Sequence, residues 1–524
     1  MDRPYARSRG GAAENSELLR ENTNRRSRSK LSFTRNVAIY AAADVLGAGI
    51  GLITSPISTR LLTQEQYGAL PLLSAVWAIV AIVQYGGMDW AFPFFRSQAQ
   101  HGSAKVLACA TILASVGGLL VWGVFFVVSI LTPWLREYAE VSTLELGLFL
   151  LGILPGALLN WYLYILRYEN QAMAFARVSM LGRTLSTALA LPAMAVVPQE
   201  WRLIVGLSVG SFVSLIALAW ALRELRLLNL VVYDKTAWSS YMAKKMLRYG
   251  LLLVPGGMVY SLSTVVDRLL VGWFLGPQGN AILALTAAIG GTALLIKLWF
   301  ARAWDPKMVE WLHTENPQIY LPRLELGIKL LLLGLLPLPL FTILWIEPLI
   351  QLLYPAQYTP VAPLIPALIS AGVISTFSLI SVATVLIANT ARWHLPIYSV
   401  ALVLNTGVGI ALIPVHGVFG AVIGTLVAEA FILLAWIFVG TRVYGNLQLQ
   451  WWPSLILLCV VALIACIYSP GMIVPESPTA ERLGLSLGIA FTWGIGYQIL
   501  QPIRGWKLLR AGTPLSADDQ NIPL

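Results

Sequence analysis

Apolar runs of about 20 residues, separated by short polar breaks, follow one another from Asn36 to Leu500. A helix needs roughly 20 residues, at about 1.5 Å per residue, to cross a hydrocarbon core about 30 Å thick. Composition agrees: 57% of residues are hydrophobic and 11% are charged, where a soluble chain carries about a quarter charged. The chain therefore reads as an all-α, multi-pass membrane protein whose function lies within the membrane.

The runs predict about fourteen spans. The first six lie near 36–59, 69–94, 106–131, 144–166, 173–194 and 202–222. A more polar stretch, 223–248, follows, and the remaining eight lie near 249–274, 279–300, 324–346, 361–388, 395–413, 418–440, 453–469 and 482–501. Lys and Arg set the orientation, because loops rich in them stay in the cytoplasm. Nine cations precede the first span, from Arg3 to Arg35, and the breaks after even-numbered spans carry more, among them Arg96, Lys105, Arg167, Arg223, Arg248, Arg302 and Arg442. The opposite breaks offer Arg60, Arg136, Arg202 and Arg482. Both termini are expected in the cytoplasm, which requires an even number of spans. The net charge of +10 is then a topology signal rather than a nucleic-acid footprint. Residues 1–35 lack the apolar core of a secretory signal and read as a disordered basic tail near anionic lipid.

The chemistry-bearing patterns of soluble enzymes are missing. There is no G-x-x-x-x-G-K-[ST] phosphate loop, and the four His (101, 313, 394, 416) are scattered over different breaks. Cys109, Cys459 and Cys466 sit inside apolar runs and read as small packing residues. No cofactor or metal is expected. The longest outer breaks, near 347–360 and 470–481, carry only Glu347, Glu476 and Glu481, which leaves little for a membrane glycosyltransferase or polymerase to use.

Three segments carry a resemblance. Ser58–Gly68 reads STRLLTQEQYG, Tyr85–Arg96 reads YGGMDWAFPFFR, and Arg248–Gly276 reads RYGLLLVPGGMVYSLSTVVDRLLVGWFLG. Their layout is similar to the oligosaccharide flippase (polysaccharide transporter) family, in the superfamily that also holds multidrug and toxin extruders and lipid II flippases. The resemblance implies two six-helix lobes around a central V-shaped cavity: residues 36–222 and 249–440, joined by 223–248, with two appended spans over 441–501 and a C-terminal tail over 502–524. It implies a polyprenyl-pyrophosphate-linked oligosaccharide as substrate, with polysaccharide polymerase and glycosyltransferases as associated proteins. A drug or metabolite extruder of the same superfamily is the competing reading, and a membrane glycosyltransferase or polymerase the more distant one. Leu62–Leu70 can be laid over Leu275–Leu283 as a weak internal repeat. Leu225, Leu227, Leu228, Leu230 and Val231, with nearby basic residues, suggest that the connection lies along the membrane surface.

Charges at span depth are costly and usually face a cavity or a partner. They are Asp44, Asp89, Arg177, Arg183, Asp267, Arg268, Lys297 and Glu429. A pyrophosphate stripped of water needs cations, and the Arg fork grips phosphate oxygens in pairs. Arg177, Arg183, Arg268 and Lys297 are the expected substrate-binding residues. Arg177 and Arg183, six apart, diverge by about 120° on an ideal helix. Arg177 and Lys297 also lie near enough to a span end to snorkel. Asp44 and Glu429 are the expected ion-coupling carboxylates, with helix packing as the alternative role, and Asp267 is expected to pair structurally with Arg268. Pro155-Gly156 and Pro255-Gly256-Gly257 are either hinges or fixed kinks.

Overall fold

The computed structural model describes residues 38–40, 42–98, 103–169, 171–228, 238–291, 335, 337–376, 393–444 and 487. Among them there are only helices and turns, and nine helices are long and apolar enough to cross a membrane. The expected span near 453–469, the span near 482–501 apart from Leu487, the N-terminal tail and most of the span near 324–346 lie outside the described residues.

Helix α1 (Ala38–Leu61) leads through a tight turn into α2 (Gln64–Gln84). That turn is set by its own sequence. Thr63 caps α2 through the Gln66 backbone N–H, and the Gln66 side chain returns to the Thr63 N–H, a reciprocal capping box. The apolar run expected to be one span over 69–94 is broken. Gly86 (φ 55°) and Gly87 (φ 73°) take left-handed backbone, ending α2 and starting the short α3 (Met88–Gln98). Then come α4 (Ser103–Leu131), the short α5 (Trp134–Ala139), α6 (Thr143–Tyr168), α7 (Ala172–Ala195) and α8 (Gln199–Leu227). Ser142 and Glu145 form a second capping box at the start of α6.

Helix α9 (Ser240–Gly290) joins two expected spans across a single non-helical residue, Gly276 (φ 65°, ψ −167°). Both Pro155 and Pro255 lie inside continuous helices, so the break falls at Gly276 rather than at either proline. The described remainder is α10 (Pro337–Leu353), a 3-10 turn (Ala356–Val361), α11 (Leu364–Thr376), α12 (His394–His416) and α13 (Val418–Tyr444). Helix α10 runs past the expected span end at 346, because its apolar face continues to Leu353. Of the residues expected to lie along the membrane surface, Leu227 is exposed, and Leu230 and Val231 lie outside the described residues. Leu225 is fully buried in the last turn of α8, and Met246 is buried in the first turns of α9.

The helices meet in two sets of contacts, one at each end. At the end where α1 starts, Arg96 of α3 pairs with Glu169 just past α6, Phe94 stacks on Tyr249 at 4.5 Å, and Gly87 touches the Gly250 backbone. This end carries most of the described cations, and we call it the basic end. At the far end the Ser55 and Tyr354 hydroxyls meet at 2.8 Å, Tyr67 lies edge-on to Tyr358, and Gln278 binds Glu65 at 2.8 Å. Gly68 there touches the backbone of Pro277, so the two segments matched as a repeat face each other. Helix α2 therefore packs along the first half of α9 from end to end, with Ser261 Oγ donating to the Ala78 carbonyl midway. An aromatic cluster around Phe92, Trp161 and Tyr162 fills the basic end.

Candidate functional site

Two adjoining cavities occupy the space between these contacts. The first, about 660 Å³, lies among α1, α6, α7 and α8, with Asp44, Asn160, Arg167, Ser179, Arg183 and Ser214 on its wall. The second, about 830 Å³, extends toward the far end and takes Ser58, Tyr67, Ser74 and Ser211 together with Arg268 of α9. Ser186, Gly210 and Ser214 line both, so the two share a wall.

The local sequence of α7 explains the first cavity. Ser179, Gly182, Arg183 and Ser186 recur at three- and four-residue spacing and form one polar stripe. Val178, one residue off the stripe, is fully buried against the core. The Arg183 guanidinium lies flush against α1 at Gly47, where a Cβ would stand 2.9 Å from Arg183 Cζ. Glycine at 47 is what lets a charged side chain occupy this depth.

The expected site residues fall into separate places. Arg183 and Asp44 share the first cavity, and Arg268 reaches the second. Arg177 does not join them. Its Nη2 donates to Glu224 Oε2 at 3.1 Å, a carboxylate side chain only 6% exposed, and it stays off both cavity walls. The physical reason is the helical angle between positions 177 and 183. Asp267 and Arg268, being consecutive, stay close enough to interact electrostatically, while the Asp267 carboxylate also reaches α13. Thr425 Oγ1 donates to Asp267 Oδ2 at 2.6 Å while Arg268 faces the cavity. Asn405 lies within reach of the same carboxylate, whose other oxygen is buried. Glu429 sits half-buried one turn beyond Thr425 on α13, near Tyr398. Lys297 lies outside the described residues.

Some site residues were not anticipated. Arg167 counted only as a loop charge, yet it lines the first cavity. The Ser and Asn lining, and the Asn405–Thr425 surroundings of Asp267, were also missed. The α7 stripe was readable as a polar periodicity. The partners from α12 and α13 had no sequence signal, because helix contacts between distant segments leave no spacing. Among the described residues no group of three or more His, Cys, Asp and Glu stands together to hold a metal. What the site offers is a polar, partly cationic pocket that can hold an anion inside a helical bundle.

Residues 33–311 match the family described as polysaccharide biosynthesis protein. No curated protein matches the chain significantly in sequence. Among solved structures, the lipid II flippase MurJ in an inward closed conformation aligns with a TM-score of 0.63 at 15% identity, over 88% of this chain and 99% of its own. A MOP superfamily transporter from Pyrococcus furiosus aligns at 0.55 and 15% identity, over 78% and 96%. The Vibrio cholerae MATE transporter VcmN aligns at 0.52 and 15% identity, over 80% and 96%. The fold is thus the all-helical one of the MOP transporters.

Proposed function

The chain belongs to the polysaccharide biosynthesis protein family, and from that premise we propose that it is a flippase for polyprenyl-pyrophosphate-linked oligosaccharide. It moves this substrate from the inner to the outer leaflet of the cytoplasmic membrane, by alternating access and without covalent chemistry. Both termini face the cytoplasm, and the partner proteins are those that build and polymerise the glycan. The observation that carries the reading is the pair of adjoining cavities with Arg183 on one wall and Arg268 on the other. Removing water from a pyrophosphate at membrane depth costs many kcal/mol unless fixed cations replace it. Two guanidiniums from different helices provide that replacement, while Ser and Asn hydroxyls and amides suit a sugar. The lipid tail stays in the bilayer.

Asp44, on the same wall as Arg183, and Glu429 are the groups that couple transport to an ion gradient. The test is export of surface glycan at matched protein levels. Arg183→Ala or Arg268→Ala abolishes export while the protein still accumulates, and Lys at either position restores part of it, since it returns charge without the bidentate fork. Normal export by both Ala variants removes the pyrophosphate role. In the same assay Asp44→Asn and Glu429→Gln flatten the response to an imposed pH gradient, and an unchanged response in both leaves them as packing residues. The apolar part of the second cavity, with Leu70, Phe149, Ile153 and Met194, favours the extruder as a second reading. Export of hydrophobic cations that persists in Arg183→Ala would decide for it.

A further inference from the structure

Arg167 is the cation nearest a helix end among those lining the first cavity. It occupies the last turn of α6 at the basic end and lines the first cavity. Its guanidinium carbon lies 5.2 Å from the centre of the Phe175 ring, and Phe175 lines the same cavity. Tyr40 completes the arrangement. Its ring meets Phe175 edge-on at 5.2 Å, and its hydroxyl reaches the Arg167 carbonyl at 3.5 Å. A cation held over a ring face uses the plane of the guanidinium for that contact, and the N–H donors radiate in the plane toward other acceptors. The neighbouring cations are committed elsewhere. Arg96 binds Glu169 at 3.0 and 2.9 Å, and Arg177 binds Glu224 at 3.1 Å.

Depth gives the arrangement a direction. Arg183 lies about three turns into α7, roughly 16 Å from the start of that helix at 1.5 Å per residue. Arg268 lies about two turns before the Gly276 break, roughly 12 Å from the far end. Arg167, Arg183 and Arg268 therefore mark three successive levels along the joined cavities. A pyrophosphate begins at headgroup depth, level with the helix ends, and a cation about 16 Å deeper cannot hold it while it is still in water.

We propose that Arg167, positioned by Phe175 and Tyr40, is a receiving station that captures the pyrophosphate at the basic-end mouth and hands it to Arg183. The proposal rests on the lipid-pyrophosphate reading above and adds an entry step to it. Arg167 binds the anion directly, and Phe175 is a positioning residue. The competing explanation is an arginine that merely snorkels to the membrane surface.

Farnesyl pyrophosphate is a usable probe, because it carries the same isoprenyl-pyrophosphate linkage on a short chain. Its binding to the full-length protein in nanodiscs of neutral lipid can be followed by tryptophan fluorescence, with farnesol as the phosphate-free control. Arg167→Ala should slow association of the probe about tenfold and Arg167→Lys about threefold, the scale of one or two charge-assisted hydrogen bonds at the entry step. Dissociation should slow along with association and the equilibrium affinity should change little, whereas Arg183→Ala weakens affinity through faster dissociation. Phe175→Leu keeps the bulk and removes the ring, and it should slow association by less than Arg167→Ala. Should Arg167→Ala fail to accumulate, Arg167→Gln carries the same comparison. Wild-type association rates in the Arg167 variants, with weakened binding by Arg183→Ala and Arg268→Ala, overturn the receiving station and leave the pyrophosphate reading standing. Wild-type binding by all of them overturns both. Equal loss of farnesol binding marks a distorted mouth and also overturns the station.

Discussion

At the scale of single residues, the cations divide by what their neighbours offer. Arg177 is 57% exposed in its side chain, but its partner Glu224 is 6% exposed. The pair is therefore asymmetric: losing the arginine strands a buried carboxylate, while losing both groups strands nothing. Arg177→Ala should lower stability by about 1–3 kcal/mol and reduce the amount of protein in the membrane. Adding Glu224→Gln should recover much of that loss, and export per molecule should stay normal. A double-mutant cycle on thermal unfolding of the detergent-solubilised protein measures this, and additive losses would dissociate the two groups. The sequence made the charges at span depth legible, and Arg183, Arg268 and Asp44 do reach cavity walls. It ranked Arg177 with them because depth can be counted along a chain, whereas the side a helix presents depends on partners such as Glu224. Arg167 was passed over for the converse reason, since a cation at a helix end reads as a loop charge until a cavity opens beside it.

At the scale of helices, the contact between α2 and α9 rests on missing side chains. A Cβ on Gly68 would fall on the Pro277 backbone, and one on Gly87 would fall on the Gly250 backbone, where Gly87 also holds φ 73°. Membrane helices gain no hydrophobic drive toward each other, so close approach through small residues is a main source of their affinity. Gly68→Ala should cost about 1–3 kcal/mol through overpacking, and Gly87→Ala about 1–2 kcal/mol more through its left-handed backbone. Gly123→Ala, with nothing within 4 Å of the added carbon, is the control and should be neutral. Unfolding temperatures in detergent rank the three, and a Gly87→Ala protein as stable as the control would show that the two backbones are not in contact. Most helices were legible, because span-length apolar runs admit little else: α6, α7 and α12 fall within a few residues of expectation. The Gly86-Gly87 turn was lost inside an apolar run, since hydropathy does not register a residue that bends the chain without changing polarity. The short α5 was lost because a helix of 6 residues is too brief to show a period.

At the scale of the whole molecule, function depends on which end faces the cytoplasm, and charge alone decides that. Arg96, Lys105, Arg167, Arg223, Arg226, Lys244, Lys245, Arg248 and Arg442 belong to helix ends or starts at the basic end, against Arg60, Arg136 and Arg202 at the far end. Such a bias is the one expected of a protein whose basic end faces the cytoplasm, as the proposed direction of transport requires. Single cysteines at Glu137, on α5, and at Gln357, in the 3-10 turn, stand exposed at the far end, and one at Lys244 stands exposed at the basic end. Cys109, Cys459 and Cys466 would be replaced by Ser for the measurement. In intact cells an impermeant maleimide should label positions 137 and 357 and should reach 244 only after permeabilisation. The same geometry ties orientation to mechanism. If the far end faces out, the Ser55–Tyr354 and Tyr67–Tyr358 contacts close the exit while Arg167 waits at the entrance. Labelling at 244 alone in intact cells would invert the protein. Arg167 would then sit at the exit, where a phosphate-capturing arginine would oppose release, and the direction of transport proposed for this bundle would fall with it.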